Sequence, residues 1–537
     1  MTGQSKFRRY LVDINSTSTN QLFTDCLIIG AGIAGLRAAI EAANNCNIII
    51  VAKYKLQDSN TFKAQGGIAS VLNESDTFQS HINDTLKTGC GLCDEKIVDL
   101  VIHQGPELIE QLLSWGADFD MVDNHIATTI EGGHSHPRVA HAHGDKTGAI
   151  IVENLINKIK QSPNIKVIEN FFAVDLLTND SGDCLGIIGH NAAKGRQIIW
   201  AANTILATGG GGKLYRETTN PDVATADGIA MAYRAGAHLL DLEFMQFHPT
   251  TLYIAGASRA LITETLRGEG AILRDKNGND FMKKYHEDAE LAPRDIVSRA
   301  ILSQMLETDS THVYLDIRHF DKKHFAKRFP VINELCENFD INISKEMIPV
   351  RPSAHYMIGG VKTDDTAKTN IKNLYACGEV ASTGLHGANR LGSNSLLEGL
   401  VFGKIAGRYA SKHKNADASH LKHPLIKYQT PHSDRTRLDS VDVTNSLRAL
   451  MWRNVGITRK AKPLAEAQVI IKFWQRYVMD KVFDSLQGWQ CQNMLTVCLL
   501  MAQAAQKRRE SRGVHFRSDF PETDDKHFKK HIELIRR

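Results

Sequence analysis

The chain has 537 residues, 42% apolar and 23% charged, an ordinary globular composition that excludes disordered, collagen-like and small disulfide-scaffold classes. Its 64 basic and 60 acidic side chains leave a net charge of +4, too little over this length to mark a nucleic-acid or membrane-surface protein by charge. Nine cysteines suit reduced thiols, and neither an apolar leader nor a stretch of about 18 apolar residues occurs, so a soluble cytoplasmic protein without membrane contact is expected.

In chain order, residues 25–30 (DCLIIG) form an apolar run ending in glycine, 33–43 read as an alanine-rich helix, and 47–52 (NIIIVA) are another β-branched run. This is a βαβ unit of dinucleotide-binding size. A third run, 204–208 (TILAT), meets four glycines at 209–212, and a fourth, 373–378 (NLYACG), leads into Glu379. Glycine-terminated strands in separated segments predict one parallel sheet. Between them, 241–355 mixes helix and strand patterns and reads as an inserted α+β domain. Residues 412–433 are polar enough for a linker, and 446–452, 467–479 and 493–510 repeat apolar residues at three- and four-residue spacing, which predicts a C-terminal helical bundle. The expected division is 22–241 and 356–425 for an α/β, Rossmann-like domain, 242–355 for the insertion and 433–537 for the bundle.

GAGIAG (30–35) is a GxGxxG hexapeptide placed between strand and helix, where glycines permit a tight turn and the helix N-terminus can face a pyrophosphate. The acidic residue that reads a ribose in NAD enzymes is missing, because Lys53 ends the second strand; with Gly209 to Gly212 this favours a larger dinucleotide. His134, His136, His141 and His143 are dense but match no closed zinc spacing, and Cys90 and Cys93 form a lone CxxC, so no metal is expected. The basic residues Lys507, Arg508, Arg509, Arg512 and Arg517 alternate with acids and read as a solvated helical face, against a nucleic-acid patch. Gln246, His248, Thr263, Glu264, Arg267, Arg294, His355 and Arg390 could together make a dianion pocket, since guanidinium pairs carboxylate bidentately; their spacing does not prove convergence.

The strings GAGIAG (30–35), AQGGIA (64–69), EGGHS (131–135), ATGG (207–210), QFHPT (246–250), TETLRGEGA (263–271), APRDIV (292–297), HGANRLGSNSLLEG (386–399) and RRESRGVHFRSDFP (508–521) carry a resemblance over most of the chain. It resembles the flavoprotein family of succinate dehydrogenase and fumarate reductase, and within it a soluble, amino-acid-oxidising branch. The resemblance implies FAD, bound through Ala31, Gly32, Ile33, Ala34, Lys53, Asn60, Thr61, Phe62, Lys63, Ala64, Gln65, Gly66, Gly67, Asp227, Glu379, Ser395 and Leu396, with the insertion as a capping domain. Membrane-complex members attach FAD through a histidine in an HTxxAQGG-like string; Asn60 stands at that place, so the FAD is expected to be non-covalent.

Glu131 occupies a position where the dicarboxylate enzymes typically have glutamine, and a carboxylate could pair with the α-ammonium of an amino acid. The implied activity is oxidation of L-aspartate to iminoaspartate, with oxygen or fumarate as acceptor, feeding a quinolinate-forming enzyme at the start of NAD biosynthesis. By resemblance His248, Thr263, His355 and Arg390 bind the carboxylates, Glu131 reads the amine, and Gln246, Glu264 and Arg267 support Arg294. Arg294 either transfers a proton or only stabilises charge. The alternative enzyme is a soluble fumarate reductase or succinate dehydrogenase; a flavin-containing nucleic-acid or scaffold protein is the reading from another class.

Overall fold

The computed structural model describes residues 8–257, 259–412 and 423–536. Residues 413–422 of the linker expected at 412–433 lie outside them. Strand Asn20–Ile29 is central in a seven-stranded sheet, with Ile48–Val51 and then Ile165–Ile168 parallel on one side and Gly195–Leu206 parallel on the other. Alternation sorts its side chains. Leu27, Ile29, Ile49 and Val51 enter one core, while Cys26, Ile28, Ile48 and Ile50 enter another on the opposite face.

The sheet is mixed, where a parallel one was expected. Strands Phe171–Thr178 and Cys184–Asn191 form an antiparallel hairpin that docks on the first half of Gly195–Leu206, whose last residues pair in parallel with Leu374–Ala376. One long strand thus serves two partners along the same edge, and only its glycine-terminated end stood out in the sequence.

Helix Ile33–Ala42 lies against helix Asn394–Ala410 on one face of the sheet. Gly399, Gly403 and Gly407 recur every four residues along the contact, and a Cβ on any of them would come within 2.4–2.6 Å of the first helix. The close approach explains the spacing. On the other face sit helices Ser440–Asn454, Ala461–Val478 and Leu486–Lys507. Each starts earlier than the apolar periodicity suggested. Asp439 and Ser485 cap the first and third, and Pro463 is tolerated in the first turn of the second. The third is buried on nearly every side, which is why its first turns show no amphipathic stripe.

The inserted segment builds a four-stranded antiparallel sheet, in the order Met245–Leu252, Ile348–Met357, Val313–Asp316, Ile272–Arg274, with helix Arg294–Glu307 against the first strand. Its own core joins Leu273, Phe281, Ile301, Phe325, Ile332 and Val350. Beyond the last long helix, Arg508, Arg512 and Arg517 are not a solvated face. Arg508 pairs with Glu243 and Glu510, Arg512 with Glu510 and Asp525, and Arg517 with Asp519, all three guanidiniums being buried. Among the described residues no helix is long and apolar enough to cross a membrane.

Candidate active site

A cavity of about 1780 Å³, its open mouth included, runs from the βαβ turn to the inserted sheet. Gly30 closes the turn at φ +115°, a conformation that suits glycine, and a Cβ there would strike the Ala207 carbonyl. Gly32 caps helix Ile33–Ala42 without a side-chain hydrogen bond, so first-turn amides face the cavity; Ile33 N donates only to Thr61 Oγ1. Helix Asn394–Ala410 presents a second N-terminus the same way, with Ser395 and Leu396 in its first turn and Ser393 held at φ +63° before it.

At the far end, where a nucleotide-binding fold usually places a carboxylate on the second strand, Lys53 instead holds one contributed from elsewhere. Its Nζ donates to Asp227 Oδ2 at 2.8 Å and Thr225 Oγ1 at 2.7 Å, while Asn493 of the C-terminal helix donates to Asp227 Oδ1 at 2.7 Å. Asn60 Nδ2 donates to Glu379 Oε2 and Asn220 Oδ1. Buried polar atoms without a protein partner, Asn60 Oδ1, Gln65 Oε1 and Thr208 Oγ1, belong to residues lining this space, and a Cβ on Gly209 would meet nothing within 4 Å. Two helix N-termini, an oriented carboxylate and unspent donors and acceptors fit a dinucleotide of FAD's size. Of the seventeen residues expected to hold it, sixteen line the cavity; Phe62 does not, its side chain packing against the helical core.

The substrate end is cationic. Glu264 receives Arg294 Nε at 2.6 Å and Arg267 Nη2 at 2.8 Å. Burial would raise its carboxyl, but the two guanidiniums overcome that and hold it down to about 2. Gln246 lies behind the cavity wall: its Oε1 accepts from both Arg294 and Arg390, and its Nε2 donates to the Arg390 carbonyl. Arg390 Nη2 donates to Ser395 Oγ at 2.6 Å, its guanidinium stacks 4.5 Å over the Tyr356 ring, and its Nε is buried without a protein partner. Burial, with Arg294 nearby, lowers Arg390 to about 10. His248 and His355 lie 5.1 Å apart between ring centroids, and burial depresses both well below the ordinary histidine range, helped by Arg294 and Arg267 at His248 and by His248 itself and Arg294 at His355, so both are neutral. Thr263 also lines this end.

Glu131 lines this end as a carboxylate that no guanidinium binds directly. It is 2% exposed, with Thr265 Oγ1 donating to Oε1 at 3.0 Å and Ser393 Oγ to Oε2 at 2.8 Å. Burial and the adjacent Glu264 raise its carboxyl above the ordinary range, against the pull of Arg294. Thr265, Ser393, Thr219, Asn220 and Tyr356 were not singled out as site residues in the sequence. The first two sit inside quoted strings, but a hydroxyl among motif residues has no spacing signal of its own.

The dense histidines are dispersed to structural partners: His134 to the Gly392 carbonyl, His136 to Ser80, His141 to Thr129 and His143 to Asp118. Cys90 and Cys93 are thiols whose burial pushes them up to about 11 and about 12. Among the described residues no group of three or more His, Cys, Asp or Glu side chains could hold a metal ion.

Known proteins converge on this geometry. The FAD binding domain family matches residues 25–396, and the fumarate reductase flavoprotein C-terminal family matches 444–536. A solved E. coli quinol fumarate reductase chain is 34% identical, superposes with a TM-score of 0.87 and covers 96% of this chain and 94% of its own. Fold and site therefore define an FAD-dependent flavoprotein of the succinate dehydrogenase and fumarate reductase class. L-aspartate oxidase from Streptomyces coelicolor is 40% identical over 95% of this chain and 90% of its own length, and that from Vibrio cholerae is 40% identical over 93% and 96%. The chain belongs to the L-aspartate oxidase family.

Proposed function

We propose that this protein oxidises L-aspartate to iminoaspartate with non-covalent FAD, as the first step of the quinolinate branch of NAD biosynthesis. The observation that carries the choice of substrate is Glu131: a buried carboxylate free of direct ion pairing, facing a cavity whose other charges suit a dianion. An α-ammonium gives that carboxylate a partner, and succinate has none.

Arg390, with its orphan Nε, clamps one carboxylate, while neutral His248 and His355 with Thr263 hold the other by hydrogen bonds. Glu131 receives the ammonium and so orients the α-carbon hydrogen. Bound FAD would supply the hydride acceptor for that hydrogen and the route for the electrons to oxygen or fumarate. Arg294 is tied through Glu264 to Arg267, a line of three charged groups leading out of the cavity; it carries a proton along that line or stabilises charge in place. Asn60 offers no imidazole for a bond to the flavin, and its amide is engaged by Glu379 and Asn220. The domain division belongs to the same reading: 22–241 and 356–425 hold the cofactor, 242–355 caps the substrate, and 433–537 supports the adenosine end through Asn493. A cytoplasmic location and delivery of product to a quinolinate-forming enzyme complete the proposal.

The test is anaerobic addition of L-aspartate to the purified yellow protein. Bleaching of the flavin supports the reading. Bleaching by succinate and not by aspartate favours the soluble succinate dehydrogenase or fumarate reductase alternative, which the shared carboxylate-binding residues also suit.

A further inference from the structure

A neutral histidine binds a carboxylate only if the nitrogen facing it carries the hydrogen, so the other nitrogen must be an acceptor. At His355 that choice is made by groups outside every motif. Its Nδ1 lies 2.9 Å from Thr219 Oγ1, and its Nε2 has no hydrogen-bond partner among the described residues. The hydroxyl hydrogen of Thr219 has two places to go: His355 Nδ1, or the Ala354 carbonyl at 3.5 Å. The carbonyl is already filled. Thr218 Oγ1 donates to it at 2.9 Å and Thr219 N at 3.1 Å, which uses both lone pairs.

Asn220 completes the arrangement. Its Nδ2 donates to the His355 carbonyl at 2.8 Å, an obligate acceptor that fixes the orientation of the amide, and the same Nδ2 reaches Thr219 Oγ1 at 3.4 Å. Its Oδ1 accepts from Asn60 Nδ2 in the cofactor loop. The Thr219 oxygen is thus an acceptor toward Asn220, and its hydrogen is left for the imidazole.

We infer that Thr219, seated by Asn220, locks His355 in the tautomer with hydrogen on Nε2, making it a donor to a substrate carboxylate; Thr219 is a positioning residue acting through His355. The inference rests on the reading of this cavity as a dicarboxylate site. It ties recognition of the acid to the cofactor loop, because the chain of amides begins at Asn60.

The experiment measures succinate binding to the holoenzyme by perturbation of the flavin spectrum, which needs no turnover. Thr219→Val is expected to weaken binding about tenfold and Thr219→Ser to stay within about twofold of wild type. In a His355→Ala background, Thr219→Val is expected to cost nothing further. Val binding like wild type, Ser as weak as Val, or an equal loss without His355 each overturns the lock. Wild-type protein that binds neither succinate nor aspartate overturns the dicarboxylate reading and the lock with it. A second measurement requires no change at Thr219: in ¹⁵N-histidine-labelled protein, the resonances lost in His355→Ala are expected to show a protonated Nε2 and a bare Nδ1, and the reverse pattern refutes the inference.

Discussion

Replacing Glu131 by glutamine separates two roles that the carboxylate cannot fill equally well. In the fold its charge is unfavourable, because burial and Glu264 raise its carboxyl above the value it has in an unfolded chain. A group raised in this way weakens the folded state once pH exceeds the unfolded value, and the deficit is full above the folded one. The variant removes that charge while nearly preserving shape, and the Thr265 and Ser393 hydroxyls that now donate to it can turn. Its thermal midpoint is expected to equal or exceed wild type at pH 7–8, with any gain vanishing as pH falls. Binding moves the other way. A charge-assisted contact contributes about 1.5–3 kcal/mol against about 0.5–1.5 for a neutral one, so aspartate should lose about 1–2 kcal/mol, roughly five- to thirtyfold in kcat/KM. Fumarate has no ammonium, and its reduction should change less than about twofold. Steady-state kinetics with both substrates and thermal shift across pH make the test; equal loss of both activities would refute Glu131 as the amine reader.

Arg390→Leu should raise KM for aspartate and fumarate alike, by roughly ten- to a hundredfold, because the proposed clamp acts on a carboxylate common to both; an unchanged KM for both removes it from the site. Acid precipitation should leave a yellow supernatant, since Asn60 cannot form a histidyl-flavin bond; a pellet that keeps its flavin after washing contradicts this. Arg508→Met should lower stability by about 3–5 kcal/mol, as Glu243 and Glu510 would lose a buried counter-ion, and chemical denaturation of the apoprotein reads it. A shift under about 1 kcal/mol would mean that the carboxylates find other partners.

What the sequence disclosed and what it hid divide by the range of the cause. The βαβ turn was legible because strand alternation, a helix start and GAGIAG are all local. The convergence of His248, Glu264, Arg294, His355 and Arg390 rested on resemblance, because no spacing rule brings 248 to 390. The hairpin Phe171–Asn191 was missed because its strands end without glycine and pair antiparallel, and the start of helix Leu486–Lys507 because a helix buried all round has no polar face. The C-terminal arginines were misjudged for a related reason. Alternating charges look solvated in a string, but here Arg508 is paired by Glu243, which lies 265 residues earlier in the chain.

The inserted unit is rooted in strands Met245–Leu252 and Ile348–Met357, which pair with each other and carry His248 and His355. The two imidazoles proposed to hold the acid therefore sit at the neck of the insertion, not on its outer surface. On the proposed reading, a tilt of the inserted unit would also move these two histidines, so closing over a ligand and tightening on it would be one mechanical event. The same anchorage limits change. Loops at the cap's far rim can vary freely, whereas a new acid must be accommodated at the neck, where altering a ligand also alters the joint.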